Sequence, residues 1–373
     1  MSVTKQENIL FITEKNYVDY IVPGGVQICT EEFISYFKLA GYNVIIVKVT
    51  PNLTFLNRVK IKIGVEVYEL YSVDGYLDEI VNAIESNGIT TVLFNQLNIA
   101  HWTSIIKSKT TNAVKFIALS HGNESGDYIH DITKSDKIPS LLKTWRLGKL
   151  LIRENQLFST TLDAVITISE HETYINEWLG AKNVLSLPRL LNPDFIDWKP
   201  DIGAIGFIGT LDHLPNYLGI ESLAMELEKI GFKGNLRLVG GPIDIGKALA
   251  QKYPFIVYYG KLDNNQLLAE VTKWSIFLNP IFWYARGSST KVAQMINWGI
   301  PIISTKAGVR GYDLANTNFL TNKDNAEVFA RLIVSTLEGE KEIHRLKKVS
   351  EENATLFDAS KYVSKLRNFI TDL

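Results

Sequence analysis

A short loop of small and basic residues precedes one predicted helix in the C-terminal half of the sequence. Arg286 and Gly287 open this loop, and the helix is predicted to begin near Thr290. It should end at Trp298, because the following Gly299 suits the position just past a helix terminus. The first turn of a helix presents unpaired backbone N–H groups and the positive end of the helix dipole, so the loop predicts an anion site.

The residues between the loop and the helix have the types that a phosphate site needs. Arg286 and Lys291 would contribute positive charge. Gly287, Ser288 and Ser289 would let backbone N–H groups approach the ligand. A nucleotide diphosphate is therefore the ligand that we expect. The alternative is that both serines only cap the helix and that the lysine is solvated in its first turn.

Two glycines follow the first apolar run of the sequence. Gly24 and Gly25, in the segment PGGVQ, would let the backbone approach a ligand closely. A helix is predicted from about Val26, with its N-terminus directed at the same place. The segment lacks the third spaced glycine of a dinucleotide-binding fingerprint. A flexible turn between a strand and a helix is the alternative.

Three more candidates stand at the ends of predicted strands, where open α/β sheets bind ligands. His121 follows the apolar run Lys115–Ser120, and both a substrate-contacting role and a purely structural role are open for it. Gly209 and Thr210 end and follow the run Ala204–Gly209, where they would bring backbone near a phosphate.

No metal site is predicted. Asp127, His130 and Asp131 have side chains that can bind metals, but we expect them in an unanchored loop that no other such cluster joins. No Ser-His-Asp or Cys-His arrangement is recognisable, and no phosphate-binding loop of the Walker type is present.

The composition is that of a globular protein with two domains. The chain has 373 residues, of which 46% are hydrophobic and 21% are charged. The 39 basic and 40 acidic residues give a net charge of −1, which offers no support for nucleic-acid binding. Cys29 is the single cysteine, so an intrachain disulfide is excluded and a reducing compartment is favoured. Since neither a signal-peptide core nor an apolar run of about 18 residues is present, we expect a cytoplasmic location.

Short apolar runs separated by helix-length segments recur along the sequence. Their nearly continuous apolarity is typical of strands in a parallel sheet that helices cover on both faces. A polar segment with two prolines at 192–202 interrupts the series and predicts a linker. We therefore predict an α/β protein of two Rossmann-like, doubly wound domains over 1–195 and 200–355. A C-terminal helix is predicted in 356–373, and whether it packs back on the N-terminal domain is left open. The runs are Asn8–Thr13, Asn43–Thr50, Thr91–Asn95, Lys115–Ser120, Ala164–Ser169 and Asn183–Pro188, then Ala204–Gly209, Asn235–Gly240, Phe255–Gly260, Ser275–Pro280 and Ile300–Thr305.

The segment Leu141–Gln156 places basic residues among apolar ones. A basic amphipathic helix can rest on an anionic membrane surface, here the inner membrane face. It can also pack on its own sheet with a solvated basic face, which is the interpretation that we favour. Gly148 weakens this helix in either case.

Taken in order, these segments resemble the GT-B glycosyltransferases, in particular retaining glycosyltransferase family four. PGGVQ, the pair His121-Gly122 and AVITISE match the N-terminal domain of that family in order and spacing. GTLDHLPN, LRLVGG and RGSSTKVAQMINWGIPIIST match its second domain. The resemblance covers most of the chain and implies two domains that face a cleft, the first on the acceptor side and the second binding the donor.

The resemblance also implies a reaction. A sugar, most simply a hexose, would move with retention from a nucleotide-diphosphate sugar to a hydroxyl of a glycan or a lipid-linked acceptor. Polysaccharide, lipopolysaccharide or glycoconjugate biosynthesis would be the setting. Helix N-termini and basic side chains would stabilise the leaving diphosphate, so neither a metal nor another cofactor is expected. His121 would contact the transferring sugar, and Lys291 and Arg286 would contact the diphosphate.

The sequence departs from the family at one pair of positions. Family members usually carry two glutamates, one for the donor sugar and one for the nucleotide ribose, where this chain has Arg286 and Gln294. Glutamine still hydrogen-bonds hydroxyls, whereas arginine accepts no hydrogen bond but pairs with phosphate or with a charged sugar. The departure motivates an alternative, a non-catalytic GT-B relative that binds a glycan, a nucleotide or a partner glycosyltransferase. A sugar-nucleotide epimerase would need an acidic cluster that the sequence does not offer.

Overall fold

The computed structural model describes residues 6–21, 23–52, 54–62, 71–135, 138–283, 287–321 and 323–373. Over these residues the chain divides into two units. The first unit contains Met1–Pro188, Ala285–Ser288 and Asp358–Leu373. The second contains Arg189–Tyr284 and Ser289–Phe357.

The first unit is built on a parallel sheet. Its strands are β1 (Asn8–Glu14), β2 (Asn43–Val49), β3 (Thr91–Asn95), β4 (Lys115–Leu119), β5 (Ala164–Thr167) and β6 (Val184–Ser186). Its helices are α1 (Gly25–Leu39), α2 (Phe55–Lys62), α3 (Leu77–Asn87), α4 (Thr103–Lys109), α5 (Glu124–Ser135), α6 (Leu141–Gln156), α7 (Glu170–Trp178) and α14 (Ala359–Asp372). Within the described residues the strands pair in the order β2-β1-β3-β4-β5-β6, all parallel. The order reverses between β1 and β3, and ligands of open α/β sheets bind outside the carboxyl ends of strands at such a point.

The second unit repeats this plan with a smaller sheet. Its strands are β7 (Asp201–Ile208), β8 (Asn235–Val239), β9 (Ile256–Gly260), β10 (Trp274–Asn279) and β11 (Ile302–Ser304). Its helices are α8 (Leu214–Lys229), α9 (Ile243–Lys252), α10 (Asn264–Val271), α11 (Thr290–Asn297), α12 (Ala326–Leu337) and α13 (Glu340–Leu356). In the part that the structure describes, the order is β11-β10-β7-β8-β9, again parallel, with the reversal between β7 and β10. The expectation of two doubly wound α/β domains is confirmed.

Trp274 holds together the two strands at this reversal. Its indole lies against Gly206, where an added Cβ would lie 2.0 Å from the ring, so only glycine leaves room for it. Its Nε1 donates to Glu270 Oε1 at 2.9 Å, and the same oxygen accepts from Arg237 at 3.2 Å. Because Trp274 and Glu270 are buried and hydrogen-bonded to each other, they fix the packing of the amino end of β10 against β7.

One expectation about the first unit is wrong. Asp127, His130 and Asp131 lie on helix α5 rather than in an unanchored loop. Asn123 stabilises the beginning of this helix, because its Oδ1 accepts the backbone N–H of Gly126 at 2.6 Å. Nowhere in the described residues do three or more histidine, cysteine, aspartate or glutamate side chains form a group that could hold a metal ion.

Helix α6 spans Gly148 without a break, and Ser140 caps its beginning by accepting the N–H of Lys143. Among the helices that the structure describes, none is both long and apolar enough to cross a membrane.

Candidate functional site

Lys291 lies in the first turn of α11, near the carboxyl ends of β7 and β10. Its Nζ donates to Asn216 Oδ1 at 3.1 Å and lies 4.6 Å from the centre of the Phe207 ring. Removal from water lowers the pKa of Lys291 to about 7. Among the described residues it forms no ion pair. A buried ammonium without a carboxylate beside it is costly, and such a group is typical of a site for a mobile anion.

Asn216 connects this lysine to the loop after β7. Its Nδ2 donates to the carbonyl of Thr210 at 2.8 Å, and the residue is buried. With the amide nitrogen engaged in this way, Oδ1 is directed at the ammonium of Lys291. Asn216 is the last residue of the segment GTLDHLPN, and the segment alone predicts no role for it. The only signal in the sequence was the position of Asn216 in the first turn of a helix that follows a strand end.

Two glycines allow the loops after β7 and β8 to pack closely together beside Lys291. A Cβ added at Gly209 would lie 2.3 Å from Lys291 Nζ, and one added at Gly240 would lie 1.8 Å from the carbonyl oxygen of Gly209. Gly209 also donates its N–H to the carbonyl of Val239 at 2.9 Å. The loops after β7 and β8 therefore meet backbone against backbone, and the candidate residues Gly209 and Thr210 lie beside Lys291 in the second unit.

The beginning of α11 has an unusual cap. Ser289 is the N-cap residue, but its side chain makes no capping hydrogen bond. Instead, the hydroxyl of Tyr312 donates to the carbonyl of Ser289 and accepts the N–H of Ala293, the latter at 2.8 Å. Tyr312 thus takes the place of the first hydrogen bond within the helix and holds the helix start in position. The sequence gives no signal for this role, because Tyr312 lies in the loop beyond β11 and is distant in sequence from the start of α11.

Gln294 lies three residues after Lys291 on α11, so the two side chains share one face of the helix. Arg286, the third basic or polar candidate of this segment, lies outside the described residues. The second unit therefore brings together Gly209, Thr210, Ser289, Lys291 and Gln294.

Gly287 and Ser288 group with the first unit. The N–H of Gly287 donates to Glu172 Oε1 at 2.9 Å and is therefore already engaged by a carboxylate. Gly287 has a φ of +53°, and an added Cβ would lie 2.7 Å from the carbonyl oxygen of His121. The hydroxyl of Ser288 is buried without a hydrogen-bond partner. Of the described residues of the predicted loop, Gly287 and Ser288 thus group with the first unit and Ser289 with the second.

His121 follows β4 in the first unit and is held by a buried polar network. Its Nε2 lies 2.6 Å from Asn95 Oδ1. The Nδ2 of Asn95 donates to the hydroxyls of Thr13 and Thr30, at 2.8 and 2.9 Å. Because the amide nitrogen is a donor to both threonines, its oxygen must accept, so Nε2 carries the hydrogen. The edge of the Phe33 ring packs against the imidazole with 5.6 Å between ring centres.

Gly24 and Gly25 begin α1, and both are exposed. The N–H of Gly24 donates to Gln27 Oε1 at 3.1 Å, and Gln27 Nε2 donates to the carbonyl of Asn16 at 3.1 Å. The turn is therefore pinned by the glutamine of the predicted segment, which is a capping arrangement.

A cavity of about 380 Å³ lies beside His121 in the first unit. Gln96, which directly follows β3, contributes to its wall and has a φ of +123°. Its Oε1 accepts from the hydroxyl of Tyr17 at 3.3 Å. Left-handed backbone at a non-glycine residue costs free energy and is found most often where ligands are bound.

Two parallel α/β units, each with polar candidate residues at the carboxyl edge of its sheet, are typical of the GT-B fold, and the described part of this chain has two such units. Residues 203–339, in the second unit, match the family described as Glycosyl transferases group 1. No curated protein matches the sequence significantly.

Solved structures of glycosyltransferases share the fold over nearly the whole chain. Sucrose-phosphate synthase from Thermosynechococcus elongatus has a TM-score of 0.70 at 16% identity, over 98% of this chain and 99% of that one. TarM from S. aureus, solved with fondaparinux, alpha-GlcNAc-glycerol and UDP, has a TM-score of 0.64 at 9% identity, over 98% and 99%. The pneumococcal O-GlcNAc transferase GtfA, solved with UDP and GlcNAc, has a TM-score of 0.59 at 8% identity, over 99% of both chains.

Identities this low establish the fold alone. The resemblance that the sequence indicated is confirmed by the family match together with this shared fold, and the match supports sugar transfer as the general activity.

Proposed function

We propose that this chain transfers a sugar from a nucleotide-diphosphate sugar to an acceptor hydroxyl, with the diphosphate bound beside Lys291 at the start of α11. The observation that carries the proposal is Lys291, a half-buried lysine of lowered pKa that has no ion pair among the described residues and lies beside Gly209 at the end of β7. A diphosphate would supply the missing negative charge. UDP in the TarM and GtfA structures supports a nucleotide of this kind.

The residues of the second unit suit the departure of a diphosphate. When the bond between the sugar's anomeric carbon and the diphosphate oxygen breaks, negative charge grows on that oxygen. Lys291 and the positive end of the α11 dipole would stabilise this charge in an environment that excludes water. Asn216 and Gly209 set the position of the ammonium, and Gln294 would hydrogen-bond a hydroxyl of the donor. The reaction so described uses no metal ion.

The first unit would take the acceptor, with His121 beside its cavity. We propose retaining hexosyl transfer in polysaccharide, lipopolysaccharide or glycoconjugate biosynthesis, on the cytoplasmic side. The anomeric coupling constant in the proton NMR spectrum of the product would test retention, since an inverted linkage would contradict it.

The experiment compares Lys291→Met with the wild type. Methionine keeps the length and apolar contacts of the side chain and removes its charge. We expect UDP binding, measured by calorimetry, to weaken by at least about tenfold, because one charge-assisted hydrogen bond is lost. Lys247→Met, at an exposed lysine of α9, is the matched control and should bind as the wild type does. Unchanged affinity in Lys291→Met would overturn the proposal, and loss of turnover in EDTA would overturn its metal-free part.

Gln294, which stands where the family usually has a glutamate, favours a second candidate function, which is binding without catalysis. A nucleotide would then bind beside Lys291 without transfer of the sugar. Calorimetry with UDP, combined with an assay for hydrolysis of UDP-sugars, separates the two functions.

We also propose peripheral contact with a membrane through 141–156. Three apolar side chains at the start of α6, those of Leu141, Leu142 and Trp145, are 91%, 53% and 44% exposed. Lys143 and Lys149 lie on the same helix and would face anionic headgroups.

A further inference from the structure

The cavity of the first unit lies among helices α1, α5, α6 and α7 and strands β4 and β5. Leu150 of α6, Val165 of β5 and Ala118 of β4 give it an apolar interior, and His121 stands at its edge. Its volume of about 380 Å³ is within the range of small-molecule sites. It is therefore large enough for a ligand and not only for a single water molecule.

Asn176 of α7 lines this cavity with an amide that has no partner. The residue is 1% exposed, and neither its Nδ2 nor its Oδ1 forms a hydrogen bond with any residue that the structure describes. Asn95, in the same unit, shows the usual arrangement, since its amide bonds two threonines and His121. A buried amide left without partners costs on the order of 1 to 3 kcal/mol. Its donor and acceptor together match a hydroxyl, which can accept from Nδ2 and donate to Oδ1.

The charges around the cavity exclude one class of ligand. Glu154 is fully buried there, with Oε1 accepting the N–H of Ser125 at 3.1 Å. Acidic side chains outnumber basic ones among the described residues of the wall, which favours a ligand without negative charge over a phosphate or a carboxylate. The charged residues are Glu124, Asp127, Asp131, Glu154 and Arg146.

We infer that this cavity binds a hydroxyl-rich ligand without negative charge, a neutral glycoside, through the amide of Asn176. The inference rests on the proposed function, because it makes this glycoside the sugar acceptor. The hydroxyl that receives the transferred sugar would then belong to a neutral glycan, and acceptors with a phosphate or a uronic acid at this position are excluded.

The test measures binding of methyl glycosides to the full chain by saturation-transfer NMR and calorimetry. The probes are the methyl glycosides of glucose, galactose and N-acetylglucosamine, with methyl glucuronide as the anionic counterpart. At least one neutral glycoside should bind, and the glucuronide should bind at least about tenfold more weakly. If no neutral glycoside binds, or if the glucuronide binds equally well, the inference is wrong.

Asn176→Leu keeps the size of the side chain and removes both hydrogen-bonding atoms. The neutral glycoside should bind at least about tenfold more weakly to it, whereas Asn368→Leu, at an exposed position of α14, should bind normally. Should Asn176→Leu fail to fold, the double variant Asp127→Asn with Asp131→Asn provides a second test, because it should gain affinity for the glucuronide. No gain would contradict the role of the carboxylates.

A UDP titration of the same wild-type sample distinguishes this inference from the proposed function. If UDP binds and no glycoside does, the cavity assignment fails alone. If a neutral glycoside binds and UDP does not, the proposed donor site fails while the cavity stands as a glycan-binding site.

Discussion

The unpaired lysine predicts that nucleotide binding is coupled to proton uptake. In the free protein, burial lowers the pKa of Lys291 to about 7, so near pH 8 about nine tenths of the molecules carry a neutral amine there. A bound diphosphate brings negative charge against the same nitrogen and raises its pKa. The secondary ionisation of a phosphate lies near pH 6, so at pH 8 the ligand itself exchanges almost no proton. We therefore expect uptake of about 0.9 proton per UDP bound at pH 8.

Calorimetry in two buffers with different ionisation enthalpies, such as HEPES and Tris, measures this number directly. The apparent binding enthalpy should change with the buffer enthalpy with a slope of about 0.9 at pH 8, and less at pH 7. Between pH 7 and the raised pKa of the complex, affinity should fall as pH rises, by at most about tenfold per pH unit. Lys291→Met should abolish the slope, and Lys247→Met should keep it. A slope near zero with UDP binding intact would refute the reasoning, because the lysine would then be charged already in the free protein.

The lowered pKa of Lys291 also makes the free energy of unfolding depend on pH. The folded-state pKa of Lys291 lies below its value of 10.5 in the unfolded chain. Between pH 7 and 10.5 the unfolded chain binds more protons, so stability should rise with pH across this window, by on the order of a few kcal/mol. Lys291→Met removes the burial of the ammonium. Its melting temperature near pH 7 should therefore exceed that of the wild type, which is the opposite of what a structural lysine would show.

Two further predictions concern the loop beside the lysine and the surface of α6. Gly209→Ala should weaken UDP binding by at least about tenfold, because the new Cβ would lie 2.3 Å from Lys291 Nζ and displace it. Gly148→Ala is the control, since its Cβ meets open space. Equal UDP affinities of Gly209→Ala and the wild type would contradict this geometry. The double variant Leu141→Ser with Trp145→Ser should reduce cosedimentation with anionic lipid vesicles. Leu356→Ser, at an exposed leucine of the second unit, is the control and should cosediment as the wild type does. Undiminished vesicle binding by the double variant would rule out contact through 141–156.

Local patterns predicted much of the fold. Continuous apolar runs identify the strands because both faces of each parallel sheet are covered, and the run at 115–120 corresponds to β4. Gly299 correctly marks the end of α11, since its φ of +70° is the conformation that glycine adopts past a helix terminus. The helix at 124–135 was not predicted, because its start depends on the side chain of Asn123 and its residues are mostly polar.

The candidate sites were less predictable because their geometry depends on contacts distant in sequence. Lys291 stands out in the sequence as a basic residue at a helix start, but its lowered pKa comes from removal from water, and the residues that it contacts, Phe207 and Asn216, are distant in sequence. The partner Asn216 is 75 residues away, and no local signal joins the two. Asn176 reads as an ordinary polar residue on an amphipathic helix, and only the structure shows that its amide is buried without a partner.

These two residues share one physical property. Each is a polar group removed from water without a full set of partners among the described residues: Lys291 has no ion pair, and the amide of Asn176 has no hydrogen bond. Unsatisfied groups of both kinds reduce stability, so each is better explained by a ligand that satisfies it than by a contribution to folding. The chemistry of the missing partner follows from each group: an anion for Lys291, and a hydroxyl in acidic surroundings for Asn176. A nucleotide-diphosphate donor and a neutral glycoside acceptor, the two ligands that we propose, have this chemistry.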